Sequence, residues 1–203
     1  MKKFSQNLFD LQALVPQYKG VFSIGDLKNL FLVLSVEQAN QKLKPFLDSC
    51  FLSRVTRGFY VTKEFDLERL SARLCPGSSI SLGSVLAKEM MIGSIPQKTV
   101  YAVKLGKTRV YRFGQGQVVH LGFTKKDLWF GYDKYENGIR YADKEKAFLD
   151  TLYFYQLGAK FSFNVYSDIN VKALDLKKVN VYLKGYKNPK FKIFVKGVLN
   201  GQH

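Results

Sequence analysis

Two serine residues near the N-terminus, each placed to cap a helix, constrain the fold of this chain most strongly. Ser23, with Asp26 three positions later, can cap one helix, and Ser35 with Gln38 has the spacing of a capping box. In a capping box the serine oxygen accepts from the third helical amide, while the Gln side chain bonds back to the serine amide. Apolar residues at helical spacing follow both serines. The sequence therefore predicts two successive helices.

A third helix precedes these two, and a β-hairpin follows them. Apolar residues recur at helical spacing from Phe4 to Val15, and Pro16 predicts the end of that helix. Residues 52–63 contain two β-prone runs around a short polar turn that includes Gly58 or lies just before it. Three helices followed by a basic hairpin are typical of a winged helix-turn-helix. We predict such a domain at residues 1–65.

Residues 66–203 are predicted to form a second, mixed domain. Short β-type runs separated by glycine turns lie between residues 99 and 141, and they predict an antiparallel sheet. Asp143 caps a strong helix, and residues 171–183 have a weaker helical pattern. Residues 191–199 fit a last basic helix or strand. The predicted fold class is α+β, with helices packed on the sheet.

The charge of the chain favours a polyanionic partner. It has 32 basic and 16 acidic residues, a formal net charge of +16, and such an excess attracts nucleic acid. The excess is concentrated at the ends, since residues 1–63 carry nine basic and four acidic residues and residues 160–203 carry nine and two. Double-stranded DNA is the predicted partner; well-spread surface lysines are the alternative explanation.

The candidate DNA contacts lie on the third helix and on the hairpin. Gln side chains can pair with adenine, and Lys side chains can contact guanine or phosphate. The helix candidates are Ser35, Gln38, Gln41, Lys42 and Lys44. The hairpin candidates, Arg54, Arg57 and Lys63, are predicted to contact phosphates. An ordinary solvated helix face and surface charges on a hairpin are the alternatives.

Pro45 limits the helix that carries these candidates. A proline lacks the amide donor and crowds the carbonyl four residues earlier. We therefore predict a kink or break near Lys44, which leaves the first two turns of the helix to enter a DNA groove.

No catalytic residue, metal site or cofactor is predicted. The sequence contains no phosphate-binding loop, no complete dinucleotide fingerprint and no nucleophile elbow. Cys50 and Cys75 lack the spacing of metal ligands, and with only His120 and His203 besides, a zinc site is not expected. Two free, buried thiols fit a cytoplasmic protein. No run approaches the roughly 20 apolar residues of a membrane helix, and the N-terminus does not resemble a signal peptide.

Three short motifs, in this order and spacing, resemble the AbiEi family of abortive-infection antitoxins. They are residues 57–61 (RGFYV), residues 79–86 (SISLGSVL) and residues 143–150 (DKEKAFLD), and the resemblance spans about residues 15–160. It implies a bacterial antitoxin of a type IV toxin–antitoxin system. In that family the N-terminal winged helix represses its own promoter, where we expect inverted repeats, and the C-terminal domain counters a nucleotidyltransferase-like toxin.

The physical roles of these motif residues follow from their chemistry. Arg57 is expected to contact a phosphate, and Gly58 to allow the tight turn between the hairpin strands. In the third motif, Ala147 and Phe148 are expected to seat the helix on the sheet, while Glu145 and Lys146 are solvated or pair locally.

The resulting hypothesis is a DNA-binding transcriptional repressor that acts as an antitoxin. One alternative is a stand-alone winged-helix transcription factor whose second domain senses a ligand or dimerises. Another is a nuclease, since Asp175 and Lys177 have the spacing of a carboxylate-plus-lysine motif if they lie on a strand. Residues 185–203 could also form a second DNA-contacting arm.

Overall fold

The computed structural model describes residues 2–93 and 98–201, and over these residues the chain is a mixed α+β protein. Its α-helices are α1 (Lys2–Tyr18), α2 (Ile24–Leu30), α3 (Val36–Asp48), α4 (Leu67–Leu74), α5 (Leu82–Lys88), α6 (Lys144–Gln156), α7 (Leu176–Leu183) and α8 (Pro189–Asn200). Its strands are β1 (Val21–Ser23), β2 (Ser53–Thr56), β3 (Phe59–Val61), β4 (Ser79–Ile80), β5 (Thr99–Leu105), β6 (Arg109–Phe113), β7 (Gly116–Phe123), β8 (Lys134–Glu136) and β9 (Ile139–Tyr141). The chain divides into two compact units. The first unit extends to Leu70 and includes Tyr111–Gly114, and the second unit contains the remaining residues from Ser71 onward.

Both predicted helix caps are present in the first unit. The Ser23 hydroxyl accepts from the Asp26 amide at 3.2 Å, and the Asp26 carboxylate accepts from the Ser23 amide at 2.6 Å. Ser35 and Gln38 form the same reciprocal pair at the start of α3. The caps fix where α2 and α3 begin, because they satisfy amides that have no partner within the helix.

Three short strands of the first unit form an antiparallel sheet in the order β1-β3-β2. The predicted hairpin is confirmed as β2 and β3, which are joined at Gly58. Gly58 has φ +80°, a conformation that residues with a Cβ rarely adopt. The short strand β1 pairs with the other edge of β3, so that Val21 lies opposite Val61.

An apolar core joins the helices of the first unit to its sheet. Its buried members come from α1, β1, α2, the residue after α2, α3, the residue before β2, and β3; they are Leu11, Phe22, Leu27, Phe31, Leu43, Phe46, Leu52 and Tyr60. Because α3 contributes Leu43 and Phe46 together with buried Ala39, one face of this helix is fixed against the core. Its opposite face is exposed.

The prediction that Pro16 ends the first helix is wrong, since α1 continues through Pro16 to Tyr18. The reason lies in tertiary packing. Tyr18 is half-buried against the core and its ring stacks on Phe22, with centroids 5.2 Å apart. This contact holds the last turn of the helix in place.

We predicted a kink or a break of the helix near Lys44. The break is absent, since α3 is one continuous helix through Pro45. The next residue, Phe46, is fully buried and stacks on Phe31 with ring centroids 5.7 Å apart. The packing of Phe46 keeps the chain helical where the missing proline amide weakens it. The whole of α3 is therefore available as a continuous surface.

The six-stranded sheet, ordered β6-β7-β5-β4-β9-β8, is mixed, which corrects the expected antiparallel sheet. β5 pairs in parallel with β7 along its whole length, and β4 pairs in parallel with β9. Short β-type runs with tight turns suggested that neighbouring strands are antiparallel. The segment after β5, however, does not form a hairpin; it crosses to β6, which lies on the far side of β7 in the sheet. Gly122 permits this crossing, because a Cβ there would overlap the backbone at Gly106.

Helix α6 is buried along most of its length, and it packs against α5, α7 and α8 of the second unit. Its predicted cap is confirmed, since the Asp143 carboxylate accepts from the Lys146 amide at 2.8 Å. Glu145 and Lys146 were expected to be solvated or to pair locally. Solvation is wrong, because both side chains are buried, whereas local pairing is confirmed for Lys146, which pairs with Asp150 four residues later. Ala147 and Phe148 are buried as predicted.

The buried ammonium of Lys146 is paired within its own helix. Its Nζ lies 2.6 Å from Asp150 Oδ1 and 3.0 Å from the Tyr186 hydroxyl oxygen. Asp150 also accepts from the hydroxyl groups of Ser81 at 2.7 Å and Tyr132 at 2.8 Å. The Nζ atom lies within cation–π distance of four rings, those of Phe123, Phe130, Tyr132 and Tyr186. Burial lowers the pKa of Lys146 and raises the pKa of Asp150.

The C-terminal helices and the cysteines differ from expectation in detail. Residues 171–183 are not one helix, because a single 3-10 turn at Val171–Ala173 precedes α7. The last basic segment is a helix, α8.

The expected burial of both thiols is wrong, since Cys50 is exposed and Cys75 half-buried, and both are free. Among the described residues, no helix has the combination of length and apolar character that crossing a bilayer requires.

His120 lies on β7 with no exposed surface, and its Nε2 is 2.8 Å from the Ser71 hydroxyl oxygen. Burial, together with the nearby charge of Lys104, lowers the pKa of His120 from 6.5 to about 4. The imidazole is therefore neutral in the folded protein at physiological pH.

We expect His120 to make the second unit less stable as the pH falls. The unfolded chain takes up the imidazole proton near pH 6.5 and the folded chain only near pH 4. The stabilisation is complete above pH 6.5 and is lost progressively towards pH 4, with a loss of about 2 kcal/mol between pH 7 and pH 5. This loss in the free energy of unfolding is measured by urea unfolding at pH 7 and at pH 5, with Trp129 fluorescence as the signal. The control is His120→Gln, which lacks this titration, and equal pH dependence of the two proteins would contradict the assignment.

Candidate nucleic-acid interface

The two predicted contacts at the start of α3 are occupied by the helix cap. The Ser35 hydroxyl accepts from the Gln38 amide at 3.1 Å, and the Gln38 side-chain oxygen lies 3.5 Å from the Ser35 amide. The two side chains therefore determine where α3 begins. In this arrangement neither side chain is directed away from the helix terminus towards a partner.

Lys42 is also engaged within the first unit. It is half-buried, its Nζ donates to the Phe31 carbonyl oxygen at 2.6 Å, and it lies 5.9 Å from the centre of the Phe31 ring. A cation at the carboxyl end of a helix satisfies a terminal carbonyl and the helix dipole. Lys42 therefore ties α3 to the end of α2.

The remaining predicted contacts on α3, Gln41 and Lys44, are exposed. At 100° per residue they project opposite to buried Leu43 and Phe46. Asp48 shares their direction, so this exposed face is of mixed charge. Gln41 and Lys44 can reach a partner that approaches α3.

The hairpin candidates fall into two places. Arg54 and Arg57 are exposed and line one groove, and the Arg54 Nε donates to the Thr56 carbonyl oxygen at 3.4 Å. Lys63 is exposed but lines a different, apolar groove next to Leu8 of α1. The structure therefore brings Arg54 and Arg57 together and leaves Lys63 outside their groove.

The groove that contains the two arginines runs between α3 and the hairpin and has a volume of about 480 Å³. Its lining residues are Ile24, Val36, Glu37, Asn40, Arg54, Arg57, Gly58 and Tyr60. Among the polar members, Glu37 and Asn40 were not predicted as contacts. Helical spacing counted from the Ser35 cap places both on one side of α3, and this signal could have identified them.

Glu37 is exposed in this groove and is ionised at neutral pH. A hydrogen bond from its own backbone amide lowers the pKa of its carboxyl group most, followed by a hydrogen bond from the Ser35 hydroxyl and the charge of Lys28. An ionised carboxylate only accepts hydrogen bonds. The groove thus presents an acceptor on the helix side and two guanidinium donors on the hairpin side.

The second basic region occupies α7 and α8 of the second unit. Residues 176–203 contain seven lysines and no acidic residue. Both helices bury apolar residues against their unit, among them Val179, Leu183, Phe191 and Val195. Residues 185–203 therefore include part of the core, and only their outer face could act as an arm.

The nuclease hypothesis requires Asp175 and Lys177 to lie on a strand, and they do not. Asp175 is the N-cap of α7, and its Oδ1 accepts from the amides of Lys177 at 2.9 Å and Lys178 at 3.2 Å. In the described part of the chain, no three His, Cys, Asp or Glu residues are grouped so that they could hold a metal ion.

Comparison with known proteins gives a similarity of fold. Neither a protein-family model nor a curated protein matches the sequence. A crystal structure of the Rv2827c protein from Mycobacterium tuberculosis is similar, with a TM-score of 0.56 over 98% of this chain and 82% of that chain. The identity is 11%, so this likeness concerns the fold alone.

Proposed function

We propose that the first unit is a winged helix-turn-helix that binds double-stranded DNA. The order of a helix, a short strand, two capped helices and a hairpin supports this assignment. In this proposal α2 and α3 are the helix-turn-helix, and the β2–β3 hairpin is the wing. The second helix of such a motif enters the major groove, and that position belongs to α3.

The groove between α3 and the hairpin is the observation that carries the proposal. Arg54 and Arg57 line it opposite the exposed side of α3. Guanidinium groups bind phosphate with several donors in a fixed fork, so they suit a nucleic-acid backbone. The net positive charge of residues 1–63 adds long-range attraction.

We further propose that the chain is an AbiEi-type antitoxin in the cytoplasm, which represses its own promoter and counters a nucleotidyltransferase-like toxin. The support is the resemblance of residues 57–61, 79–86 and 143–150 to that family. In this proposal the first unit binds inverted repeats of the promoter, and the second unit provides the antitoxin activity. Co-expression with an adjacent toxin gene tests the second part, because an antitoxin restores growth.

Replacing both groove arginines should weaken DNA binding and make it less sensitive to salt. Each lost phosphate contact removes about 0.9 from the slope of log affinity against log salt concentration. The variant Arg54→Ala/Arg57→Ala is therefore expected to lose about 1.8 in slope. Fluorescence anisotropy with a duplex from the region upstream of the gene, titrated at several salt concentrations, measures it.

The matched control is Lys88→Ala/Lys134→Ala, which removes the same charge from the second unit. Lys88 and Lys134 pair with Glu136, and Lys134 also pairs with Glu89, so the slope of this variant should equal that of the wild type. If the wild-type protein shows no salt-sensitive binding to the duplex, the DNA-binding proposal is wrong.

A further inference from the structure

We infer that Val36, Glu37 and Asn40 of α3 read the base sequence of the operator, with Glu37 selecting a cytosine. This inference rests on the proposed DNA binding by the first unit. The three residues line the groove that faces Arg54 and Arg57. Arginines that hold the backbone on the hairpin side would place the helix side of the same groove next to base edges.

Two residues that the sequence favoured for reading bases, Gln38 and Lys42, form hydrogen bonds within the first unit. The amide side chain of Gln38 takes part in the cap with Ser35, and the Lys42 ammonium donates to the Phe31 carbonyl. Pairing of Gln38 with adenine would compete with its cap hydrogen bond, and a base contact by Lys42 would compete with its bond to the Phe31 carbonyl. Glu37 and Asn40 are exposed and line the groove. The Glu37 carboxylate accepts from its own amide and from the Ser35 hydroxyl, and its two oxygens have further lone pairs that can accept from a base.

The chemistry of the three side chains matches base edges in the major groove. Val36 has 44% of its surface exposed and can contact the methyl group of thymine, since apolar side chains recognise that group. Asn40 can form two hydrogen bonds with adenine, and a carboxylate accepts from the cytosine amino group. The three positions occupy one side of the first two turns of α3.

Glu37 gives the sharpest selection, because a carboxylate near DNA is tolerated only where it meets a donor. Phosphates repel it, and the guanine and thymine edges offer only acceptors and a methyl group in the major groove. The interactions that lower its pKa keep this carboxylate ionised at neutral pH. It therefore discriminates against guanine and thymine as well as binding cytosine.

The test measures binding of the full-length protein to a set of duplexes. First, selection from a randomised duplex library gives the preferred site, and then every base pair of that site is substituted in turn. The wild type is expected to prefer cytosine at one position by about tenfold or more. Glu37→Ala should lose this preference at that position alone, and Glu37→Gln should shift it to adenine, the base that Gln recognises.

Two matched controls separate base reading from helix stability. Gln38→Ala removes the neighbouring side chain and half of the cap, so it should lower the melting temperature but leave every base preference unchanged. Asn40→Ala should relax a different position, one occupied by adenine. Far-UV circular dichroism confirms that the exposed-residue variants are folded.

The outcomes distinguish this inference from the function on which it rests. Sequence-preferring binding that is unchanged in Glu37→Gln, or that is lost in Gln38→Ala, overturns the inference while DNA binding stands. Absence of any sequence preference in the wild type overturns both. A preference that moves from cytosine to adenine in Glu37→Gln, with Gln38→Ala unchanged, supports it.

Discussion

Lys146→Met is expected to lower the free energy of unfolding of the second unit by about 3–5 kcal/mol, the usual cost of removing one partner of a buried ion pair. Both Lys146 and Asp150 are fully buried, and their charged atoms are 2.6 Å apart. Within the described residues, the donors left to the Asp150 carboxylate without the ammonium are the hydroxyl groups of Ser81 and Tyr132. A charge in that position has lost its counter-charge and has no access to water.

Urea unfolding followed by Trp129 fluorescence measures the effect, because this tryptophan is the only one in the chain and lies next to Tyr132 in the second unit. Lys187→Met is the control, since Lys187 forms an exposed pair with Asp127 and its loss should leave the unfolding midpoint unchanged. The double variant Lys146→Met/Asp150→Leu removes the buried charge as well and should regain part of the loss. Equal midpoints for Lys146→Met and Lys187→Met would contradict the expectation that the substitution leaves an uncompensated buried charge on Asp150.

Phe46→Ala is expected to destabilise the first unit by about 3–5 kcal/mol, as large-to-small changes of buried aromatic residues do. Phe46 is fully buried, stacks on Phe31 and lies edge-on to Phe51. It also follows Pro45, where α3 lacks one backbone hydrogen bond. Loss of the ring removes the packing that keeps this part of α3 helical, so DNA binding should weaken together with stability.

Hydrogen exchange of peptides that cover α3 and the hairpin measures this loss locally, because amide protection reports the free energy of opening. The control is Leu34→Ala, since Leu34 is 93% exposed and surface changes usually stay within about 0.5 kcal/mol. Equal protection in the Phe46→Ala and Leu34→Ala variants would mean that α3 does not depend on this ring.

The elements that could be predicted from the sequence are those that local interactions define. The caps at Ser23, Ser35 and Asp143 each depend on hydrogen bonds to residues three positions away. The turn at Gly58 depends on one backbone conformation. Because these interactions lie within a few neighbouring residues, the printed sequence contains everything needed to find them.

The candidate site was predicted only in part. The sequence indicated α3 and the hairpin as its two sides, and it identified Arg54 and Arg57. It also favoured Gln38 and Lys42, whose side chains the structure shows bonded to the Ser35 amide and the Phe31 carbonyl. Residue chemistry suggests what a side chain can bind, but its direction depends on contacts with distant parts of the chain.

The sequence by itself determined the α+β class, the helix caps, the hairpin and the basic character of the two ends. Only the tertiary structure decided that α3 continues through Pro45, that Lys146 is buried and paired, and that Glu37 lines the groove. It also decided the parallel pairing of β5 with β7. These features depend on which residues, far apart in the chain, pack against one another, and burial against such partners outweighs local preference where the two conflict.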